Sequence, residues 1–221
     1  MRCIGIIGAM EVEVEKLKAR MENVEITRKA SMEFYAGTLE GKNVVVVRSG
    51  IGKVNAGLCS QILVDRYHVS GIINTGIAGS LRNEVNVGDI VLATDAVQHD
   101  VDAAGFGYQP GEIPQMGIKE FPADAHLREV AVRCCQRANP DIQTFCGRVA
   151  SGDQFINSRE KKNWIRDTFD AYCTEMEGAA IAQAAYLNQI PYLIVRAISD
   201  KADDSANVDY SEFEAKAVEH S

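Results

Sequence analysis

The sequence predicts an α/β domain built on a parallel or mixed sheet. Two observations carry this. Short, nearly continuous apolar runs alternate with segments of helical spacing. Six of the strand-like runs then end in turns rich in Gly, Glu or Asp: GAMEVE, SGIGK, TGIAGS, SGDQFIN, TEMEGA and AISDKA. Strands covered on both faces read as unbroken apolar runs. An open α/β sheet binds ligands outside the carboxyl ends of its strands. Convergence of these turns on one sheet edge therefore predicts a pocket.

Taken in order, residues 2–8 (RCIGIIG) form a buried strand ending in glycine. Val14, Leu17 and Met21 fall at i, i+3 and i+7 and predict a helix. Glu11 and Glu13 sit at that strand-to-helix junction, where an acidic side chain favours the helix dipole by about 0.3–1 kcal/mol. Residues 33–39 and 43–48 read as a hairpin turning at Glu40-Gly41-Lys42. SGIGKVNAG (49–57) is a tight strand-to-helix turn or a close backbone approach to a ligand. It is not a phosphate loop, because Val54 follows Lys53 where Ser or Thr is needed and the glycine spacing differs; Lys53 is read as structural. Residues 71–75 are a strand followed by the turn Gly76–Ser80, and residues 88–94 are another. No G-x-G-x-x-G fingerprint occurs, so nothing points to a dinucleotide.

Residues 99–122 form a long loop rich in Gly, Pro and aromatics, with Phe106 and Tyr108 on either side of Gly107. Structureless loops of this length are usually functional or disordered; a lid, a subunit contact and packing back on the domain all fit. Residues 125–138 predict an amphipathic helix with Leu127, Val130, Ala131 and Cys134 on one face. Residues 148–157 are a strand running into a turn that carries Asp153, Phe155 and Ile156. Residues 171–200 read as strand, helix and strand. Glu175, Met176 and Glu177 lie past the first strand, and Arg196, Ser199 and Asp200 past the second. Glu175 is open between a site residue and a structural acid. The last segment, residues 202–221, is polar and then helical.

A chain of 221 residues with 46% hydrophobic content suits one domain spanning 1–221. Net charge −8 and a pI near 5.1 argue against a nucleic-acid partner but leave room for a nucleoside without phosphate. No apolar run reaches the roughly 18 residues of a membrane span. The start is apolar only from Cys3 to Met10 and lacks a cleavage signature, which predicts a cytoplasmic protein. The six cysteines form no C-x-x-C pair and read as buried, reduced thiols. His99-Asp100-Val101-Asp102 offers a single imidazole and no second ligand cluster, so no metal is expected there.

GIIGAMEVE, SGIGKVNA, NTGIAG, SGDQFIN, TEMEGAAIA and VRAISDKAD occur in this order over nearly the whole chain. Together they resemble the 5′-methylthioadenosine/S-adenosylhomocysteine nucleosidases of the nucleoside phosphorylase superfamily. The resemblance implies a three-layer α/β/α fold with a central mixed β-sheet, no cofactor and a homodimer. Relative to the family, the chain stops before the end of its C-terminal helix. The implied reaction is hydrolysis of the N-glycosidic bond of 5′-methylthioadenosine and S-adenosylhomocysteine, with 5′-deoxyadenosine also a substrate, in methionine salvage and by-product recycling.

By the same resemblance, Asp200 is the acid that protonates adenine N7. An ordinary Asp, with a pKa of about 3.9, would be ionised at neutral pH, so the site must hold its proton. Glu13 is the base that activates water against an oxocarbenium-like ribose. Glu177 binds the ribose hydroxyls, and Arg196 orients the catalytic carboxylate and water. Phe155 stacks on adenine, the Ile156 backbone pairs with its edge, and Met176 lies beneath the ribose. Ser199 contacts the substrate and Gly79 permits a close backbone approach. Met10, Ile51 and Tyr210 line the 5′-alkylthio pocket. Phe106, Tyr108 and Pro114 reach into the neighbouring subunit's site.

Departures from the family are Ile77, where some members have serine beside the water; Tyr210, where phenylalanine is common; and Ala103, where some use valine. A phosphorylase needs donors for a phosphate dianion, and relatives of that kind place Arg and Ser where this chain has Asn74 and Ile77. Water is therefore the expected nucleophile. A nucleoside-binding protein without turnover is the reading that retention of Glu13, Glu177 and Asp200 opposes. Hydrolysis of 6-amino-6-deoxyfutalosine remains an alternative activity.

Overall fold

The structure, a computed structural model, describes residues 3–204 and 206. Its elements are β1 (Cys3–Gly8), α1 (Glu11–Ala19), β2 (Glu22–Lys29), β3 (Met32–Leu39), β4 (Lys42–Arg48), α2 (Lys53–Tyr67), β5 (Gly71–Ser80), β6 (Ile90–Gln98), β7 (Glu120–Pro122), α3 (Ala125–Ala138), β8 (Thr144–Ser151), α4 (Arg159–Phe169), β9 (Cys173–Glu175), α5 (Gly178–Leu187) and β10 (Tyr192–Asp200). The strands build one mixed sheet with helices on both faces, the three-layer architecture expected.

Alternation across the pleat sets the layers. Ile6, Val44 and Val46 pack with Val14 and Leu17 of α1 on one face. Their neighbours Ile7, Val45 and Val47 pack with Ala56, Cys59 and Leu63 of α2 on the other. Each fully buried Ile, Leu or Val among them contributes about 1.5–3 kcal/mol by leaving water. β1 is parallel to both β4 and β5, and β10 is parallel to β5. Beyond β10 the sheet continues through β6, β8 and β9, and β9 pairs back onto β5 at Gly79 and Ser80. That side of the sheet therefore curls shut, whereas β4, β3 and β2 extend it as an open meander.

Several expectations change. Gly76–Ser80 is not a turn: β5 runs unbroken from Gly71 to Ser80. Pairing with β10 and then β9 supplies the ladder that glycine-rich sequence by itself does not favour. Arg196, Ser199 and Asp200 lie within β10, and Glu175 within β9, rather than past the strand ends. β2 is an additional strand with an almost wholly exposed burial pattern; its two apolar residues, Val24 and Ile26, are both exposed. α4 is likewise additional; Ser158 caps it by accepting from Lys161 N–H at 3.2 Å. α3 appears as expected, but Val130 and Cys134 are exposed and only Leu127 and Ala131 of the expected face reach the core. All six cysteines are free thiols; Cys59 and Cys173 are buried, whereas Cys134 and Cys146 are exposed. Inside residues 99–122 a 3-10 turn spans Ala104–Phe106, and Ile113 bridges Ile118. Among the described residues no helix is long and apolar enough to cross a membrane. The expected C-terminal helix and Tyr210 lie outside the described residues.

Candidate active site

The site exists because β1 stops early. β1 pairs with β5 only as far as Ile7 opposite Asn74, whereas β5 continues to Ser80. The chain leaving β1 turns through Ala9 and Met10 into α1, which puts Glu13 in its first turn against the uncovered part of β5. One Glu13 oxygen accepts from Ala9 N–H at 2.7 Å and Met10 N–H at 2.9 Å. The other accepts from Ile77 N–H at 3.1 Å. Glu13 thus caps its own helix while its carboxylate is held against β5. Gly76 makes this possible, since a Cβ there would stand 2.5 Å from Glu13 Oε1. Burial pushes the Glu13 carboxyl up, against the Arg196 charge and those three N–H groups.

Opposite Glu13, the register of β10 against β5 shifts between Ile198 and Asp200. In a regular strand, neighbours point to opposite faces; a bulge re-aims a side chain. Here Ser199 and Asp200 both line the same cavity. Asp200 Oδ1 accepts from Ala202 N–H at 2.7 Å, and Ser199 Oγ donates to Asp200 Oδ2 at 2.8 Å. Gly79 lies against this pair: an added Cβ would stand 2.7 Å from Asp200 Oδ1 and 2.8 Å from the Ala202 Cβ.

The third group sits where β9 meets α5. Glu177 is the N-cap of α5, and its Oε1 accepts at 2.8 Å from the N–H of Gly52, the N-cap of α2. Gly52 has φ 97, a left-handed backbone that suits glycine. Burial first, and then the Glu175 charge, push the Glu177 carboxyl up to about 8, against Arg196 and the Gly52 N–H.

Glu175, open on sequence, is structural in its bonding. It accepts from Ser151 Oγ, from Glu177 N–H at 3.1 Å and from Gly178 N–H at 2.8 Å. Its Oε2 also receives Arg196 Nη2 at 2.5 Å. Arg196 is 2% exposed and gives a second bond, also at 2.5 Å, to Asn74 Oδ1. Burial raises the Glu175 carboxyl, but the Arg196 charge and these hydrogen bonds bring it down overall. Arg196 makes no hydrogen bond to Glu13 and lies behind the cavity; it acts on Glu13 through its charge. Sequence reading also left out Asn74 and Ser151 as partners in this cluster. The Ser-Gly-Asp at the end of β8 was the available signal for Ser151.

One cavity of about 460 Å³ brings together Met10, Glu13, Ile51, Gly79, Phe155, Met176, Glu177, Ser199 and Asp200. That volume falls within the roughly 300–1,000 Å³ of small-molecule sites. Ile156 lines an adjoining recess with Phe155, Met176 and Asp200. Phe155 and Ile51 stand 46% and 53% exposed at the rim. Phe106, Tyr108 and Pro114 do not line this chain's cavity; Phe106 is 89% exposed. Lys53 binds Asp100 at 2.6 Å and Gln98 at 2.9 Å, which fits its structural reading.

A wall combining an apolar platform with four buried carboxylic groups, Glu13, Glu175, Glu177 and Asp200, backed by the buried Arg196 guanidinium, suits a neutral polyhydroxylated ligand with an aromatic base. Comparisons with known proteins agree with this. The model of the phosphorylase superfamily matches residues 3–221. A 5′-methylthioadenosine/S-adenosylhomocysteine nucleosidase of Anoxybacillus flavithermus is 43% identical over 219 residues, covering 99% of this chain and 94% of the relative. The crystal structure of the nucleosidase of that name from Neisseria meningitidis, in complex with methylthio-immucillin-A, superposes with a TM-score of 0.95 at 39% identity, covering 100% of this chain and 95% of that one. A futalosine hydrolase mutant of Helicobacter pylori reaches a TM-score of 0.93 at 31% identity, covering 100% and 95%. The chain belongs to the phosphorylase superfamily and, within it, to the 5′-methylthioadenosine/S-adenosylhomocysteine nucleosidase family.

Proposed function

We propose that this protein hydrolyses the N-glycosidic bond of 5′-methylthioadenosine and S-adenosylhomocysteine, releasing adenine and the 5-thio-substituted ribose. The observation that carries the reading is the placement of Glu13, Glu177 and Asp200 around one cavity of about 460 Å³. Asp200 delivers a proton to adenine N7 as the N9–C1′ bond breaks, so the base leaves neutral. Glu13 takes a proton from the water whose oxygen bonds to C1′ on the opposite face. Glu177 accepts from the ribose hydroxyls. Proton transfers of this kind contribute about 10²–10⁴-fold each in rate.

Met176 lies beneath the ribose and Gly79 lets the base approach β5. Phe155 stacks on adenine while the Ile156 backbone meets its edge. Arg196, held by Glu175 and Asn74, supplies positive charge that favours ionised Glu13. Met10 and Ile51 receive the 5′-alkylthio group. Water rather than phosphate is the nucleophile. Ile77 packs with Ala197 and Met10 at the point where a dianion would need donors, and Arg196 is already engaged by Glu175.

The chain acts as one domain, in the cytoplasm, as a homodimer. Phe106, Tyr108 and Pro114 of each subunit reach the cavity of the other, which accounts for the 89% exposure of Phe106. Sedimentation of the wild type and Phe106→Ala tests the dimer; a monomer at micromolar concentration overturns it. Incubation with 5′-methylthioadenosine in phosphate-free buffer tests the reaction, with adenine release expected and strict dependence on added phosphate as the overturning result. Likeness to a futalosine hydrolase makes 6-amino-6-deoxyfutalosine the second substrate to assay.

A further inference from the structure

Beside the nucleoside cavity lies a second recess of about 430 Å³. The two share Ala9, Met10 and Ile51 as their common wall. The first is largely apolar on that side. The second is polar beyond it, where Glu11, Ser31, Arg48 and Asn55 contribute to the lining. Arg48 is the last residue of β4, and Glu11 the first of α1. The meander strands β2 and β3 turn at Ala30 and Ser31, both left-handed at φ 49 and φ 61, and bring Ser31 to the rim.

Within this recess two opposite charges form a loose ion pair. Arg48 Nε lies 3.8 Å from Glu11 Oε2, beyond hydrogen-bond distance, and both side chains are about half exposed. The Arg48 guanidinium makes no hydrogen bond among the described residues. Lys18 Nζ reaches both Glu11 oxygens, at 2.7 and 2.9 Å, so Glu11 already holds one ammonium where a second would join it. A planar guanidinium with free donors receives a carboxylate in a bidentate fork, and a carboxylate receives an ammonium. The recess thus presents complementary groups for a zwitterion, one apolar wall away from the nucleoside cavity.

We propose that this recess holds the α-amino-acid end of a 5′-thioether substituent. Arg48 takes the carboxylate, Glu11 takes the ammonium, and the thioether chain passes over Met10 and Ile51. The proposal rests on the nucleosidase reading above and deepens it. A methylthio group ends at the Met10–Ile51 wall; a homocysteine tail continues beyond it. Arg48 therefore sets the preference between the two substrates without touching the reacting atoms.

The test is steady-state kinetics of the wild type, Arg48→Met and Glu11→Gln on three substrates. These are S-adenosylhomocysteine, 5′-methylthioadenosine and an adenosine 5′-thioether with an uncharged butyl chain. In Arg48→Met the ratio of kcat/KM for S-adenosylhomocysteine to that for 5′-methylthioadenosine should fall by about fivefold, the size of one half-exposed ion pair. The butyl-to-methyl ratio should not change. Glu11→Gln should give a smaller fall of the same sign, and added salt should lower the wild-type ratio. Each ratio is taken within one preparation, so loss of folded enzyme cancels. An unchanged homocysteine ratio in Arg48→Met overturns the subsite while leaving hydrolysis intact. An equal fall for the butyl thioether also overturns it, because packing rather than charge would then be responsible. A wild type that cleaves none of the three overturns the nucleosidase reading itself.

Discussion

Arg196 donates to Glu175 at 2.5 Å and, among the described residues, to no other carboxylate, although Glu13 and Glu177 also feel its charge. One buried cation thus anchors the α5 entrance through Glu175 and leaves Glu13 and Glu177 free to face the cavity. Taking charges out of water is costly, and removing one member of a buried pair leaves the other uncompensated.

Glu175→Ala should therefore cost about 3–5 kcal/mol of unfolding free energy, the usual cost of orphaning a buried charge. It also strips the acceptor from Gly178 N–H. Urea titration measures this, and a loss below about 1 kcal/mol would show that Arg196 finds water or another partner.

Glu177→Gln should stabilise the protein while weakening substrate binding. A carboxyl raised to about 8 contributes stability that is present below its unfolded pKa and is lost as pH climbs through the folded one. The wild type therefore carries the penalty of an ionised, buried Glu177 most fully at pH above about 8. The variant's Tm should exceed that of the wild type by about 2–4 °C at pH 8.5, roughly 1 kcal/mol for a chain of this length. At pH 5 the gap should shrink. Calorimetry at both pH values decides it; a gap that widens towards pH 5 contradicts the assigned shift.

Glu13 must be ionised to act as a base, and burial raises its pKa. The acid limb of kcat/KM should accordingly lie above the ordinary glutamate range, with activity rising as pH increases through it. Glu13→Gln should lower kcat by about 10²–10⁴-fold and abolish that limb. Survival of the limb in the variant would assign it to another group.

Asp200→Asn should retain substrate with little change in Kd and lose about 10²–10⁴-fold in kcat. The amide oxygen can still accept from Ala202 N–H, so the local fold is preserved. Calorimetric binding beside a single-turnover assay separates the two effects. Turnover near that of the wild type would refute Asp200 as the acid.

Gly76→Ala carries no functional group, yet it should cost activity heavily, because its Cβ would stand 2.5 Å from Glu13 Oε1 and 3.3 Å from Arg196 Nη1. A displacement of about 1 Å can cost on the order of 10²-fold in rate. Comparable activity in Gly76→Ala would mean that the Glu13 position is tolerant.

The sequence by itself determined an α/β domain on a parallel or mixed sheet and the site's residue types. Val44 to Val47 had to be a strand covered on both faces, and the acids of AMEVE, TEMEGA and AISD had to lie near strand ends. Those signals are local: hydrophobic periodicity, and polar groups interrupting apolar runs. What the tertiary structure decided is everything that depends on pairing between distant segments. Gly76–Ser80 became strand because β10 and β9 supply its ladder. Ser199 and Asp200 came to share one cavity because the register of β10 slips beside Gly79. Glu175 found its role only when Arg196, 21 positions away, and Ser151, 24 positions away, were brought to it. A buried charge is assigned by the partners that surround it, and those partners are neighbours in space rather than along the chain.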